Sequence, residues 1–308
     1  MRPGTHNPLV ESHDARAEEG VAMNMIKEPL RFETHLAGGA QPGKVTLVGA
    51  GPGAPDLLTV RASRALGQAR LVLYDHLVSR DVLQLVPQGA ELICVGKESG
   101  RHTLPQASII ELMVRLARSG KSLVRLKGGD PYIFGRGGEE AEGLAAAGVA
   151  FEVIPGISAA QGAAACAGIP LTHRDHAASV VLATGHTRDD GSTGCRDDLD
   201  WLVLARPRQT VVIYMGLGTL QRVCSQLIAH GLPADTPAAV IERATCPEQR
   251  TIVGDLRSLP ALVTLHGVRS PALVIIGSVV SLHKQLALRV AAPTAAAATC
   301  NSQPLAPC

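Results

Sequence analysis

Two glycine-rich runs and the carboxylates beside them carry most of the chemical potential of this chain. In VTLVGAGPGAPDLLT, Gly49, Gly51 and Gly53 come directly after a β-branched stretch. Glycine there allows a sharp bend and lets a ligand approach the backbone. Asp75 closes the next β-branched stretch, and the combination admits a dinucleotide-binding reading. The spacing is G-x-G-x-G, however, and Pro52 and Pro55 lack the N–H groups that a pyrophosphate would seek. A ligand without phosphates suits this loop better. The second run, RLKGGDPYIFGRGGEE (125–140), sets Gly128 and Gly129 after a strand and then offers Asp130. A carboxylate at that end of a strand can accept from ribose hydroxyls or an amino group, or complement a positive sulfonium. An ordinary Asp-Pro turn is the competing reading.

A third run, VIPGISAAQGAAACAGIPLTHRD (153–175), reads as a Pro155-Gly156 turn followed by an Ala-rich helix with Ser158 as its N-cap. Its small residues let another body pack closely, and by composition alone a neighbouring helix is favoured over a ligand. His173 and His176 lack a third ligand at suitable spacing, so no metal is expected. The seven cysteines form no C-x-x-C pair, and their odd number argues against a complete disulfide framework. A reducing, cytoplasmic setting is expected.

The elements that must position these loops follow from periodicity. Strands are predicted at 45–49, 69–75, 121–128, 150–155, 178–185, 210–216, 238–243 and 271–280. One helix begins near Pro105 with Ile109, Leu112, Met113 and Leu116 on one face, and another spans about 219–230, ended by Gly231. Alternation of this kind predicts an α/β fold with a mainly parallel sheet. The 308 residues suffice for two lobes. The expected division is an N-terminal α/β domain over 44–168 and a C-terminal one over 169–289, with 1–43 and 290–308 as disordered ends. Three Phe, three Tyr and one Trp leave little for base stacking, and a net charge of +2 gives no basic footprint, so a nucleic-acid partner is not expected. No apolar stretch is long enough for a bilayer span or a signal core.

In order along the chain stand VGAGPG, YDHLVS, VGK, RLKGGDPYIFGRGGEE, VIPGISAA, AGIPLTHR, YMG and IERAT. From about residue 44 to 282 this order resembles the tetrapyrrole methylase family, and in LVRLKGGDPYIFGRGGEE and GIPLTHRDHA the branch that methylates uroporphyrinogen III. The resemblance implies two α/β domains with S-adenosylmethionine held in the cleft between them and S-adenosylhomocysteine as product. It implies a homodimer, and methylation of uroporphyrinogen III at ring positions 2 and 7, through precorrin-1 to precorrin-2, for siroheme and cobalamin synthesis. Carried over by position, the cofactor contacts fall on Pro52, Gly128, Gly129, Asp130, Ile133, Ser158, Ala159, Met215 and Ala244. Proton acceptor and donor fall on Asp75 and Lys97, although a turn cap and a solvated loop charge are their bland readings. The chain departs from common family forms at Ala54, Ser158 and Ala244. A fused dehydrogenase and ferrochelatase region is not evident, so a stand-alone methylase is expected. The substrate's eight carboxylates favour arginine partners, and Arg136 and Arg174 are the candidates, with surface solvation as the alternative. Competing functions are a methylase of the same fold acting on a later precorrin, a diphthine precursor or rRNA, an NAD-linked oxidoreductase, or a non-catalytic tetrapyrrole carrier.

Overall fold

The computed structural model describes residues 42–96, 104–186 and 199–287. The expectations for the chain ends and for Lys97 therefore lie outside the described residues, apart from 42 and 43. Five short strands form the first sheet: β1 (Val45–Gly49), β2 (Leu71–Tyr74), β3 (Glu91–Cys94), β4 (Leu123–Lys127) and β5 (Phe151–Ile154). Their order is β3-β2-β4-β1-β5 and every pairing is parallel. Helices cover both faces, which a parallel sheet requires because each crossover must bury its apolar stripe. On one face lie α1 (Val60–Gly67) and α2 (Arg80–Leu83), with Ala62, Leu66, Val82 and Leu83 packed on Val48, Val72 and Leu126. On the other lie α3 (Gln106–Arg118) and α4 (Gly137–Ala146). Ile109, Leu112 and Met113 of α3 join Leu144 of α4 over Leu47 and Leu73. The apolar face anticipated for the helix after Pro105 is thus core, and Pro105 itself is the N-cap.

The chain leaves β1 for β2 on one side and leaves β4 for β5 on the other. Loops diverge at such a switch point, and it is the carboxyl edge between β1 and β4 that opens for ligands. Ser158 then caps α5 (Ala159–Ala167) through a capping box with Gln161, which satisfies N–H groups that an Ala-rich helix cannot satisfy itself. The buried alanines of α5 pack on Val212, Ile241 and Ile275 of the second sheet.

That second sheet contains β6 (Ser179–Thr184), β7 (Gln209–Tyr214), β8 (Pro237–Glu242), β9 (Arg250–Asp255) and β10 (Ala272–Ile276), ordered β6-β7-β10-β8-β9. Only β6 and β7 are parallel; β10 runs antiparallel to β7 and β8, and β9 antiparallel to β8. The expectation of a mainly parallel sheet thus holds in the first half and is corrected in the second. The physical reason is visible at 243–249, a connection too short for a crossover helix. The edge strands β3 and β9 had no sequence forecast; both are only partly buried and give weak alternation. The outer face of this sheet carries α6 (Trp201–Leu204), α7 (Leu220–Ala229) and α8 (Leu259–Leu265). Among the described residues no helix is long and apolar enough to cross a membrane.

A Cβ on Gly156, just past β5, would overlap the carbonyl oxygen of Gly129. Gly156→Ala is expected to lower stability by roughly 1–3 kcal/mol, read from the midpoint of urea unfolding. An unchanged midpoint would show that these loops give way freely.

Candidate functional site

Three glycine loops meet at the carboxyl edge of the first sheet. Gly51 donates its N–H to the Gly129 carbonyl at 3.1 Å, and Gly129 donates to the Gly51 carbonyl at 2.7 Å. A Cβ on Gly49 would lie 2.7 Å from the Gly129 oxygen, so the junction admits only hydrogen at that position. Because those two N–H groups are spent on each other, they are not offered to a pyrophosphate, which weighs against the dinucleotide reading. Asp130 ties the same loops together. Its Oδ1 accepts from Tyr132 N at 2.8 Å, and its Oδ2 accepts from Gly156 N at 3.0 Å. The turn-forming reading of Asp130 is therefore realised, while each oxygen keeps further lone-pair capacity for a ligand.

The second lobe closes on this junction through its own loops. Ala54 donates its N–H to Thr245 Oγ1 at 3.0 Å, and Ala160 donates to Tyr214 Oη at 3.0 Å. The Pro52 ring packs against Gly162 of α5, where a Cβ would come within 2.5 Å. A Cβ on Gly53 would meet the Ala244 carbonyl at 3.3 Å and Cys246 Sγ at 2.8 Å. Burial pushes the Cys246 thiol pKa up, which leaves it a neutral wall. The Phe134 and Tyr214 rings are 4.8 Å apart, an aromatic contact that brings Ile133 and Met215 into neighbouring segments. Phe134, Arg136, Met215, Arg243 and Thr245 all have positive φ. Strained backbone of this kind gathers where a loop must aim at a ligand.

The residues carried over for the cofactor are placed as follows. Gly129 lies so that a Cβ would be 3.7 Å from Ala159 N, and Gly128 faces Leu77. Met215 is 53% exposed, while Pro52, Asp130, Ile133, Ala159 and Ala244 are half-buried. Ser158 is buried, and its hydroxyl is committed to Gln161. The cap anticipated at Ser158 is thereby realised. The two arginines considered for the substrate are placed differently from each other. Arg136 is held by Glu139 through Nε at 2.9 Å and Nη2 at 2.6 Å, and this hydrogen bond raises its pKa further. Its fork is already matched to a carboxylate. Arg174 is exposed, and its carbonyl accepts from Arg208 at 2.8 Å. Arg208 precedes β7, whose six residues carry the chain about 20 Å to Met215. Within the described residues nothing brings Arg174 to the glycine junction.

Sequence reasoning missed the most heavily charged part of the site. Arg125 and Lys127 alternate on β4 and point to the same face, where they are 1% and 2% exposed. Arg125 Nη2 reaches Asp75 Oδ1 at 2.6 Å, and Arg125 Nε reaches Glu140 Oε1 at 3.1 Å. Lys127 Nζ lies 2.9 Å from Glu140 Oε1 and 3.5 Å from Asp75 Oδ2. Gln106, at the start of α3, donates to the same Glu140 oxygen at 3.1 Å. Glu140 is fully buried and its Oε2 has no hydrogen-bond partner among the described residues. Two cations and two anions thus neutralise each other below the carboxyl edge, and only Asp75, with 26% of its side chain exposed, opens outward. The available signal was two cations at period two in a strand otherwise built of Leu and Val, a pattern that requires buried counter-charges. Among the described residues no cluster suited to a metal occurs. Cys166, Cys224 and Cys246 are free thiols.

Arg125→Met strips one cation from this set and leaves Glu140 buried beside Lys127 alone. It is expected to cost about 3–5 kcal/mol in urea unfolding, and a loss below about 1 kcal/mol would show that the interior tolerates the imbalance.

A siroheme synthase from Nitrosospira multiformis is 56% identical over 245 residues, covering 80% of this chain and 51% of that protein. The chain spans about half the length of the curated relatives it matches. The crystal structure of uroporphyrin-III C-methyl transferase from Thermus thermophilus complexed with S-adenyl homocysteine matches with a TM-score of 0.64 at 40% identity. It covers 77% of this chain and 93% of that one. A cobalt precorrin-4 methyltransferase matches with a TM-score of 0.68 at 30% identity, over 77% of this chain and 95% of that one. Residues 44–260 match the Tetrapyrrole (Corrin/Porphyrin) Methylases, and the chain belongs to that family of S-adenosylmethionine-dependent methyltransferases.

Proposed function

We propose that this protein methylates uroporphyrinogen III at ring positions 2 and 7, giving precorrin-2 by way of precorrin-1, for siroheme and cobalamin synthesis. The observation that carries the reading is the junction of Gly49, Gly129 and Gly156 beside Asp75, at one sheet edge and under the loops of a second lobe. The similarity to a uroporphyrin-III C-methyl transferase supports the choice of substrate. The reading includes a homodimer, as the resemblance implies, and a cytoplasmic setting, as the cysteine usage suggests.

The residues present fit S-adenosylmethionine. A cradle without Cβ atoms admits close approach, Ile133 and Met215 offer apolar walls, and the Asp130 oxygens retain acceptor capacity. S-adenosylmethionine supplies a methyl group already activated on a positive sulfur. Because the ring carbons of the reduced macrocycle are electron-rich, the chain's main contribution is to hold carbon, methyl and sulfur in line. Orientation of this kind contributes on the order of 7–11 kcal/mol at best. The ring carbon gains its bond to the methyl as the methyl–sulfur bond breaks onto sulfur, and a proton must then leave the macrocycle. Asp75, which contacts Arg125 and is open to the edge, is the proposed acceptor. Lys97 is the proposed donor in the same exchange.

Incubation with uroporphyrinogen III and S-adenosylmethionine should add two methyl masses to the macrocycle. Full consumption of neither reactant, with another precorrin methylated instead, would redirect the assignment within the family. Asp130→Ala should remain folded and bind S-adenosylmethionine at least about tenfold more weakly in titration calorimetry. Unchanged affinity in the folded variant would remove Asp130 from the cofactor site.

A further inference from the structure

We propose that Glu140 is a positioning residue for Asp75, acting through the Arg125 and Lys127 cations that the two carboxylates share. Its charge then sets how readily Asp75 takes a proton from the macrocycle. The inference rests on the reading of Asp75 as proton acceptor and adds a residue that touches neither macrocycle nor methyl donor.

Three features point this way. The first is the sharing itself. Arg125 contacts Asp75 at 2.6 Å and Glu140 at 3.1 Å, and Lys127 lies closer to Glu140, at 2.9 Å, than to Asp75, at 3.5 Å. The cations are therefore divided between an interior anion and one at the edge. The second is how Glu140 is held. Gln106, Arg125 and Lys127 all converge on Oε1, while Oε2 is buried without a partner. The arrangement uses the carboxylate's charge and leaves half its hydrogen-bonding capacity idle. The third is that buried ion sets of this kind are frequently no more stabilising than apolar packing. Their presence next to a reactive edge is better matched to tuning a titrating group.

Among the described residues, the charged groups that reach Asp75 are Arg125 and Lys127 from β4, with Glu140 from α4 behind them; α3 supplies the uncharged Gln106 amide. If Glu140 loses its charge, both cations act on Asp75 undivided. The ionised carboxylate is favoured and becomes a weaker base. Loss of Lys127's charge does the reverse.

The test is the pH profile of kcat with uroporphyrinogen III and S-adenosylmethionine. Glu140→Gln, which is nearly isosteric, should move the acid limb to lower pH by about one unit and reduce the plateau, with S-adenosylmethionine affinity unchanged. Lys127→Met should move the limb to higher pH, and Lys127→Arg should restore it. Should Glu140→Gln fail to fold by circular dichroism, the Lys127 pair decides the matter alone. Limbs that superimpose on the parent enzyme's overturn the inference. Asp75→Asn separates the two levels. A slow Asp75→Asn enzyme with unmoved limbs removes Glu140 only, whereas a fully active one removes both Glu140 and the acceptor role.

Discussion

Two cations on a central strand of an otherwise aliphatic lobe must be neutralised where they stand, and much of the first lobe is arranged around that demand. Arg125 and Lys127 cannot turn to water, because α3 and α4 lie over their face of the sheet. A buried charge without a partner costs several kcal/mol, so Glu140 has to enter from the first turn of α4 and Asp75 from the end of β2. The register makes this possible. Leu73 pairs with Arg125 across β2 and β4, which leaves Asp75 one step beyond the ladder and level with the last residues of β4. The same step brings the following loop, through Leu77, against Gly128. Charge neutralisation and loop placement are thus one event.

The glycine junction imposes a complementary constraint. Parallel strands β1, β4 and β5 deliver their loops to one edge about 4.8 Å apart, and side chains there would keep the loops from touching. With hydrogen at 49 and 156 the backbones close on one another, Gly129 supplies a positive φ, and Asp130 fastens two of the loops through its two oxygens. What remains is a floor of backbone, partly exposed at Gly128, Gly129 and Gly156, with few side chains of its own. Its walls come from elsewhere, from Pro52 and Ala54 on one side and α5 with residues 244–246 on the other.

Much of this was legible because it is local. The glycine runs, the Ser158 cap and the apolar face of α3 each depend on residues a few positions apart, and the structure places them as their spacing required. The β4 stretch was legible as a strand too, but its two charges carried no label for their partners. Asp75 is 50 residues from Arg125 and Glu140 lies on a helix of modest amphipathicity, so only the packing of α4 on the sheet makes them neighbours. The pairing of Arg136 was legible for the opposite reason. Its partner Glu139 was three residues away in plain view, and an i,i+3 pair on a helix start is a strong local claim on a guanidinium. The direction of the second sheet depended on connection lengths that strand periodicity does not record.

The mixed second sheet also explains how an aliphatic, aromatic-poor chain builds a cleft at all. A second parallel lobe would present a carboxyl edge of its own, and two such edges facing each other would leave many loop N–H groups competing for one ligand. Here β7 ends at the junction on an aromatic residue, Tyr214. That single ring performs two tasks. Its hydroxyl accepts from the first turn of α5, and its face meets Phe134 from the first lobe. Because α5 packs on the second sheet while its N-cap is held beside Gly129, any change in the angle between lobes would pull on Tyr214 and the Asp130-fastened loops together. Rigidity at the floor and adjustment at the walls therefore come from different residues, the glycine junction for the first and the Tyr214 contacts for the second.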